Sequence, residues 1–408
     1  DRLVPVTSPR RAPGGFPVVG IIGGGQLARM CQPPSVGLSI TLSVLADSAE
    51  ASAALVVPSA PVGDLSDIDV VRAFASECDV VTFDDGQVPA EVLAALEADG
   101  VVLHPSPAAL ALAEDKLALR RRLAEIGVAS PRWAEVRDMA SLQAFGDEVG
   151  WPVVVTIPKG GYNGNRAHVV GAPEEVAEWF DQAALDVAQS GGPLVEGLLA
   201  EQTVDFVRRL AVLVARSPSG QASSWSVVET ARSEGICRQV LAPAPGLDPN
   251  LAAVATEAAL RISGELGVTG VMAVEMFEVR DPRTGDPAYL VDDLAMGPHH
   301  SGHWSIDGSV TSQFEQHLRA VLDLPLGDTS LRARWTVMGN VLGGDHTDLY
   351  PAYRHLMARD PALKIHLYGK GVRPGRMIGH VNVSGADVED LRTRANHASD
   401  YLQGVITQ

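Results

Sequence analysis

Glu275, in AVEMFEV, and Asp293, in LVDDLA, are carboxylates on two segments that a turn at DPRTGD can fold side by side. Two carboxylates on one rigid scaffold are what Mg²⁺ takes together with phosphate oxygens. Glu275 sits among apolar neighbours and needs a partner if buried; the alternative is a pair of solvated edge-strand acids. A second candidate is GPHHSGHW, with His299, His300 and His303. It is a Pro/Gly stretch without the helical spacing of HExxH, so a polar ligand-binding loop or a structural loop suits it better than a metal cluster. A third is YGKGVRPGRM, which gathers Lys370, Arg373 and Arg376 in one short loop. Such a cluster in an acidic chain suits one phosphate or carboxylate group, against the alternative of a solvated turn.

Two glycine-rich stretches suggest anion chemistry of another kind. TIPKGGYNGNRAHVV has Gly160, Gly161 and Gly164 around Tyr162, the shape of a loop that lays backbone N–H groups over phosphates. GGGQLARM follows an apolar run and opens a helix, so Gly24, Gly25 and Gln26 can hold an anion at a helix N-terminus. It is not GxGxxG and no acid follows a second strand at the right distance, which gives a dinucleotide site little support.

The elements that must position these residues alternate at first. VVGII, SITLSVLA and DVVTF read as strands, and DVVRAFA and PAEVLAALEADG as helices, the pattern of a parallel α/β sheet. Pro33 and Pro34 in CQPPSVGL should break or restart the first helix. SPAALALAEDKLALRRRLAEIG reads as one helix ending near Gly127. Antiparallel hairpins follow, with turns at SPSG and DPRTGD, so the later region is α+β. The expected units are a disordered lead-in at 1–15, a Rossmann-like domain at 16–114, a larger domain at 115–330 and a small one at 331–408.

The chain has 408 residues, 46% hydrophobic, with a formal net charge of −18. That charge excludes non-specific nucleic-acid binding and docking on anionic membranes. No apolar run is long enough to span a bilayer, and the first 15 residues lack the apolar stretch of a signal peptide. Three scattered cysteines form no CxxC and read as reduced thiols. A cytoplasmic protein is expected, with a small-molecule ligand and neither nucleic acid nor membrane as partner.

In order, GGGQLARM, DVVTFDDGQVP, AEDKL, PVVVTIPKGGYNGNRA, DFVRRLAVLVAR, GVMAVEMFEV, VDDLAMGPHHSGHWSIDGSVTSQFEQHLRAVLDLPLGD and HLYGKGVRPGRMIGHVN resemble the carboxyaminoimidazole ribonucleotide synthetases, the PurK family of the ATP-grasp superfamily, over about residues 16 to 400. The resemblance implies an α/β and α+β, ATP-grasp fold with a parallel α/β domain before it and a small domain after. It implies ATP, Mg²⁺, bicarbonate and aminoimidazole ribonucleotide as reactants, carboxyphosphate as intermediate, and a homodimer. It also marks departures. Thr156 stands where the family has a phosphate-binding lysine, Asn163 and Asn165 replace loop Asp and Lys or Arg, and Arg209 replaces a ribose-binding Glu. Asp292-Asp293 replaces Asn-Glu, Gly297 an Arg, His300 an Asn, Gly86 a Glu and Met377 a Lys. Lys116, Gly160, Gly161, Tyr162 and Glu196 match its nucleotide site, Glu275 and Asp293 its metal site, and Gly24, Gly25, Gln26, Lys370, Arg373 and Arg376 its ribonucleotide-phosphate side.

Because the departures cluster in the ATP and substrate centre, the expectation is a retained fold that has lost ATP use. Its pocket would then be repurposed for another reaction on a related ligand, in specialised metabolism, with Asp84, Asp85, Asp292, Asp293, His299 and His300 as acid–base groups. Two alternatives accompany it: a working ATP-dependent carboxylase whose missing cations are replaced by Lys159 and Arg166, and a non-catalytic binding protein.

Overall fold

The computed structural model describes residues 9–84, 88–159, 167–180, 197–233 and 236–406. The chain forms two compact units, one of residues 1–109, 208–274 and 294–408, the other of residues 110–207 and 275–293.

The first unit opens with a three-stranded parallel sheet of β1 (Val18–Ile22), β2 (Thr41–Leu45) and β3 (Val80–Phe83), in the order β2-β1-β3. Its strands are apolar runs, buried almost throughout, as parallel strands covered on both faces must be. The helix Gln26–Gly37, which follows β1 after the glycine turn, is continuous, with Pro33 and Pro34 inside it. The expected break does not occur. The lost amide donors are offset by burial of Ala28 and Cys31 in a core shared with Val19, Val44, Phe314 and Leu318. Residues 9–15, expected to be a disordered lead-in, are tied to this sheet. Arg11 pairs with Asp79 at 2.6 Å, and the Arg10 carbonyl accepts from Thr41 Oγ1 at 3.1 Å.

The second unit carries a four-stranded sheet of β4 (Trp133–Val136), β5 (Val153–Thr156), β6 (Ala167–Val170) and β7 (Leu198–Gln202), in the order β4-β7-β5-β6, every pair antiparallel. The segment expected as one long helix is two, Pro107–Glu114 and Lys116–Glu125. Asp115 is why: its backbone is extended, and its carboxylate caps the second helix by accepting from the amides of Leu117 and Ala118, each at 3.0 Å.

Among the described residues, the largest sheet has nine strands: β8 (Arg208–Arg216), β9 (Ala222–Ser224), β10 (Val228–Ser233), β11 (Ile236–Ala242), β12 (Gly270–Arg280), β13 (Pro287–Met296), β14 (Trp335–Leu342), β15 (Lys364–Leu367) and β16 (Met377–Gly385). The order is β13-β12-β8-β10-β11-β14-β16-β15, with β9 on β8. Strands from either side of residue 331 thus share one sheet.

Within the first unit, the helix Gln313–Val321 links both of that unit's sheets through polar residues that are fully buried. His317 Nδ1 accepts from the Val271 amide at 3.0 Å, so its Nε2–H faces Thr82 Oγ1, 2.8 Å away. The ring leaves no room for a side chain at position 270: a Cβ on Gly270 would stand 2.7 Å from it, and Gly270 has φ of +103°.

Burial pushes the His317 imidazole down to about 4, and pushes those of His303 and His380 well below the usual 6.5. A lowered folded-state pKa means that the unfolded chain binds more protons between pH 6.5 and 4, so stability falls as pH drops through that window. His317 alone should remove about 2 kcal/mol at pH 5 relative to pH 7.5. Urea midpoints at the two pH values measure it, and His317→Gln should reduce the pH difference by about that amount.

Candidate active site

In the first unit, the basic loop and the first helix meet. Lys370 Nζ donates to Gln26 Oε1 and stands 5.9 Å from the centre of the Tyr368 ring. Ser52 Oγ donates to the Tyr368 carbonyl at 2.6 Å, and Arg29 Nη1 donates to the Ser52 carbonyl at 2.9 Å. Arg376 donates to the Gly371 carbonyl at 3.1 Å, and the loop rests against Gly343, where a Cβ would come 2.3 Å from the Arg373 carbonyl oxygen. Lys370 thus ties the basic loop to Gln26 at the start of the first helix. Arg29 was missed; the available signal was its place one turn after Gln26.

The glycine turn is closely packed. Asp84 Oδ1 accepts from the Ala28 amide at 2.6 Å, filling the start of the first helix with the protein's own carboxylate. A Cβ on Gly25 would fall 2.0 Å from Asp84 Oδ2, and one on Gly24 2.8 Å from the side chains of Ala46 and Ala51. These glycines leave room for close neighbours, and one Asp84 oxygen is engaged at the start of the helix. Asp85 lies outside the described residues.

The histidine stretch is a built turn. Gln313 Oε1 accepts from the His299 amide at 2.9 Å, while Gln313 Nε2 donates to the His299 carbonyl at 2.8 Å and faces His303 Nδ1 at 3.0 Å. His299 Nδ1 lies 2.8 Å from Ser301 Oγ, and the rings of His299 and His300 are 3.9 Å apart. Burial, aided by the charge of Arg232, pushes His299 down to about 4, so it is neutral at pH 7. Gly297 has φ of +126° and donates its amide to the Val271 carbonyl at 2.8 Å, a backbone that favours glycine.

In the second unit, Lys116 begins its helix 3.1 Å from Asp293. Burial pushes the ammonium down, but Asp293, Asp292 and Glu201 push it further up, so it stays charged. One turn on, the fully buried Arg120 donates to Glu201 at 2.6 Å and to the carbonyls of Val291 and Asp292 at 3.0 and 2.6 Å. It clamps the strand that carries Asp292 and Asp293. Asp293 lies 3.1 Å from Lys116 and Asp292 4.0 Å from Arg120, and both carboxylates raise the Lys116 ammonium. The two acids, grouped together from the sequence, both act on the helix that carries Lys116 and Arg120. Arg120 was missed, although it lies four residues after Lys116 on the same helical face.

Lys159 pairs with the capping Asp115 at 2.9 Å, and the Pro158 carbonyl accepts from the Lys116 amide at 3.2 Å. Thr156 is buried at the end of β5, opposite Leu199 and Ala167. Glu275 is partly buried on β12. Gly160, Gly161, Tyr162, Asn163, Asn165 and Glu196 fall outside the described residues.

Residues 17–114 match the ribonucleotide synthetase preATP-grasp domain, residues 121–314 the ATP-grasp domain, and residues 336–394 the phosphoribosylaminoimidazole carboxylase C-terminal domain. The chain is 46% identical to the N5-carboxyaminoimidazole ribonucleotide synthase of Mycobacterium tuberculosis over 389 residues, 95% of this chain and 88% of the relative. It is 43% identical to that of Corynebacterium ammoniagenes, over 95% of this chain and 92% of the relative. Among solved structures, the N5-carboxyaminoimidazole ribonucleotide synthetase of Thermus thermophilus aligns with a TM-score of 0.80 and 32% identity, over 96% of this chain and 99% of the other. The synthase of Aspergillus clavatus, solved with ADP and 5-aminoimidazole ribonucleotide, aligns with a TM-score of 0.81 and 29% identity over the same shares.

Breaking the Arg120–Glu201 pair should strand a buried charge. Arg120→Met is expected to cost about 3–5 kcal/mol, and Arg120→Met with Glu201→Met distinctly less, because the second change removes the orphaned carboxylate. Urea unfolding of both variants measures the difference.

Proposed function

The chain belongs to the N5-carboxyaminoimidazole ribonucleotide synthase family of the ATP-grasp superfamily, and from that premise we propose that it is an ATP-dependent synthase of purine biosynthesis, joining bicarbonate to the amine of aminoimidazole ribonucleotide. The observation that carries this reading is 46% identity over 95% of the chain, together with matches to three family domains. The same finding overturns the expectation of a repurposed pocket in specialised metabolism, and with it that of a pseudoenzyme. A cluster of changed residues at a site is weaker ground than identity sustained across the whole chain.

In this reading Lys370, Gln26, Arg373 and Arg376 receive the ribonucleotide phosphate. Charged hydrogen bonds from such a loop fix one end of the substrate and so orient its amine. His299 Nδ1 accepts from the Ser301 amide, so the neutral ring carries its proton at Nε2 and offers a hydrogen-bond donor there. Thr156 offers the triphosphate no charge, so the counter-charge comes from Lys116 and from Lys159, which the Asp115 carboxylate and the Pro158 carbonyl hold at the start of one helix. The oxygen donors of Glu275 and Asp293 fit Mg²⁺, which when bound would neutralise phosphate charge. No described helix is long and apolar enough to cross a membrane; a cytoplasmic homodimer completes the proposal, the homodimer on the family resemblance.

Purified protein supplied with ATP, Mg²⁺, bicarbonate and aminoimidazole ribonucleotide should release phosphate only when the ribonucleotide is present, and should consume it stoichiometrically. Absence of turnover would refute the proposal. Lys159→Ala should raise the KM for ATP about tenfold or more, the equivalent of one charged hydrogen bond, and leave that for the ribonucleotide unchanged.

A further inference from the structure

Lys370 stands on a buried scaffold that has no part in the chemistry described so far. Tyr368 and His380 are almost completely buried, and Tyr368 Oη lies 2.7 Å from His380 Nδ1. Burial holds the phenol up and the imidazole down, so both stay neutral and their bond is a fixed, uncharged one. The Tyr368 amide donates to the Ile378 carbonyl at 2.9 Å and its carbonyl accepts from Ser52. The next residue, Gly369, has φ of +67°, and a Cβ there would stand 2.9 Å from both Arg29 Nη1 and a Leu55 methyl. The backbone is therefore pinned on both sides, and the ring is pinned at its hydroxyl. Beyond this, His380 stacks between His366, at 4.6 Å, and His303, at 4.9 Å. His303 faces Gln313, which holds the His299 turn.

We propose that Tyr368 and His380 are positioning residues for Lys370: their buried hydroxyl–imidazole bond fixes the plane of the tyrosine ring, and the ring fixes where the ammonium stands to receive a phosphomonoester. A cation over a ring face is held at a set distance and direction, and Gln26 supplies the second constraint. The inference rests on the reading of Lys370 as an anion-binding residue, and it does not depend on which reaction follows.

The test uses the full chain and ribose 5-phosphate, titrated by calorimetry. Tyr368→Phe removes one oxygen and keeps the ring; it should weaken ribose 5-phosphate by three- to tenfold. His380→Leu should do the same, and the double variant should bind no more weakly than the worse single one, because both changes break one bond. The double variant also guards against misfolding, since replacing both partners of a buried hydrogen bond by apolar groups is better tolerated than removing one. In turnover assays the KM for the ribonucleotide should rise while kcat and the KM for ATP stay within twofold. A purely structural pair would lower the urea midpoint and leave ribose 5-phosphate affinity within 1.5-fold of wild type, which would overturn the inference. Lys370→Met separates the premises: if it binds as well as wild type, the anion site and the inference both fall, whereas if binding is lost in it but kept in the tyrosine and histidine variants, only the inference falls. Lack of turnover with intact ribose 5-phosphate binding would count against the synthase reading alone.

Discussion

The helix Gln313–Val321 is polar in sequence and buried in the fold, and the first unit is organised by satisfying it. Gln313, Gln316 and His317 are each at most 1% exposed. Each therefore has to find partners inside the protein, since a buried polar group without one costs more than the bond it would make. Gln313 finds the His299 turn, Gln316 finds Ser223 and Gly327, and His317 finds Thr82 and Val271. Three polar side chains on one short helix thus fix where the parallel sheet, the nine-stranded sheet and the histidine turn stand within that unit. The geometry of the turn follows from the helix, not from its own Pro/Gly sequence.

The same economy recurs at the charged groups. Asp84 occupies the start of the first helix, Asp115 caps the helix that begins at Lys116, and Asp293 faces Lys116. Each carboxylate answers a local need for negative charge, at helix amides or beside an ammonium. A ligand anion arriving at Lys116 or Lys159 would exchange with a carboxylate already in place, so its binding replaces one charge pair by another instead of meeting bare cations.

Much of the architecture was legible in the sequence because it rests on local rules. The apolar runs of the parallel strands, the hairpin turns at SPSG and DPRTGD, and the family motifs all depend on residues close together along the chain. The basic loop was legible too, because Lys370, Arg373 and Arg376 lie within seven positions in an otherwise acidic chain. What failed were local rules overruled by packing: the helix through Pro33 and Pro34, held by buried neighbours, and the division at Asp115, where a side-chain cap outcompetes a helix-favouring run. Arg29, Arg120 and Tyr368 looked ordinary in sequence, because their significance is a partner far away along the chain: Ser52, Glu201 and His380.

By itself, then, the sequence determined the family, the kinds of element and the inventory of charged groups, since these depend on residue type, short spacing and motif order. Only the tertiary structure decided which charges are already paired. It gave Asp84 to a helix start, set Asp293 against Lys116, and set Lys370 over a tyrosine ring. The physical reason is that an ion pair or hydrogen bond is made by distance in space, and the fold alone brings residue 26 to residue 370 and residue 82 to residue 317.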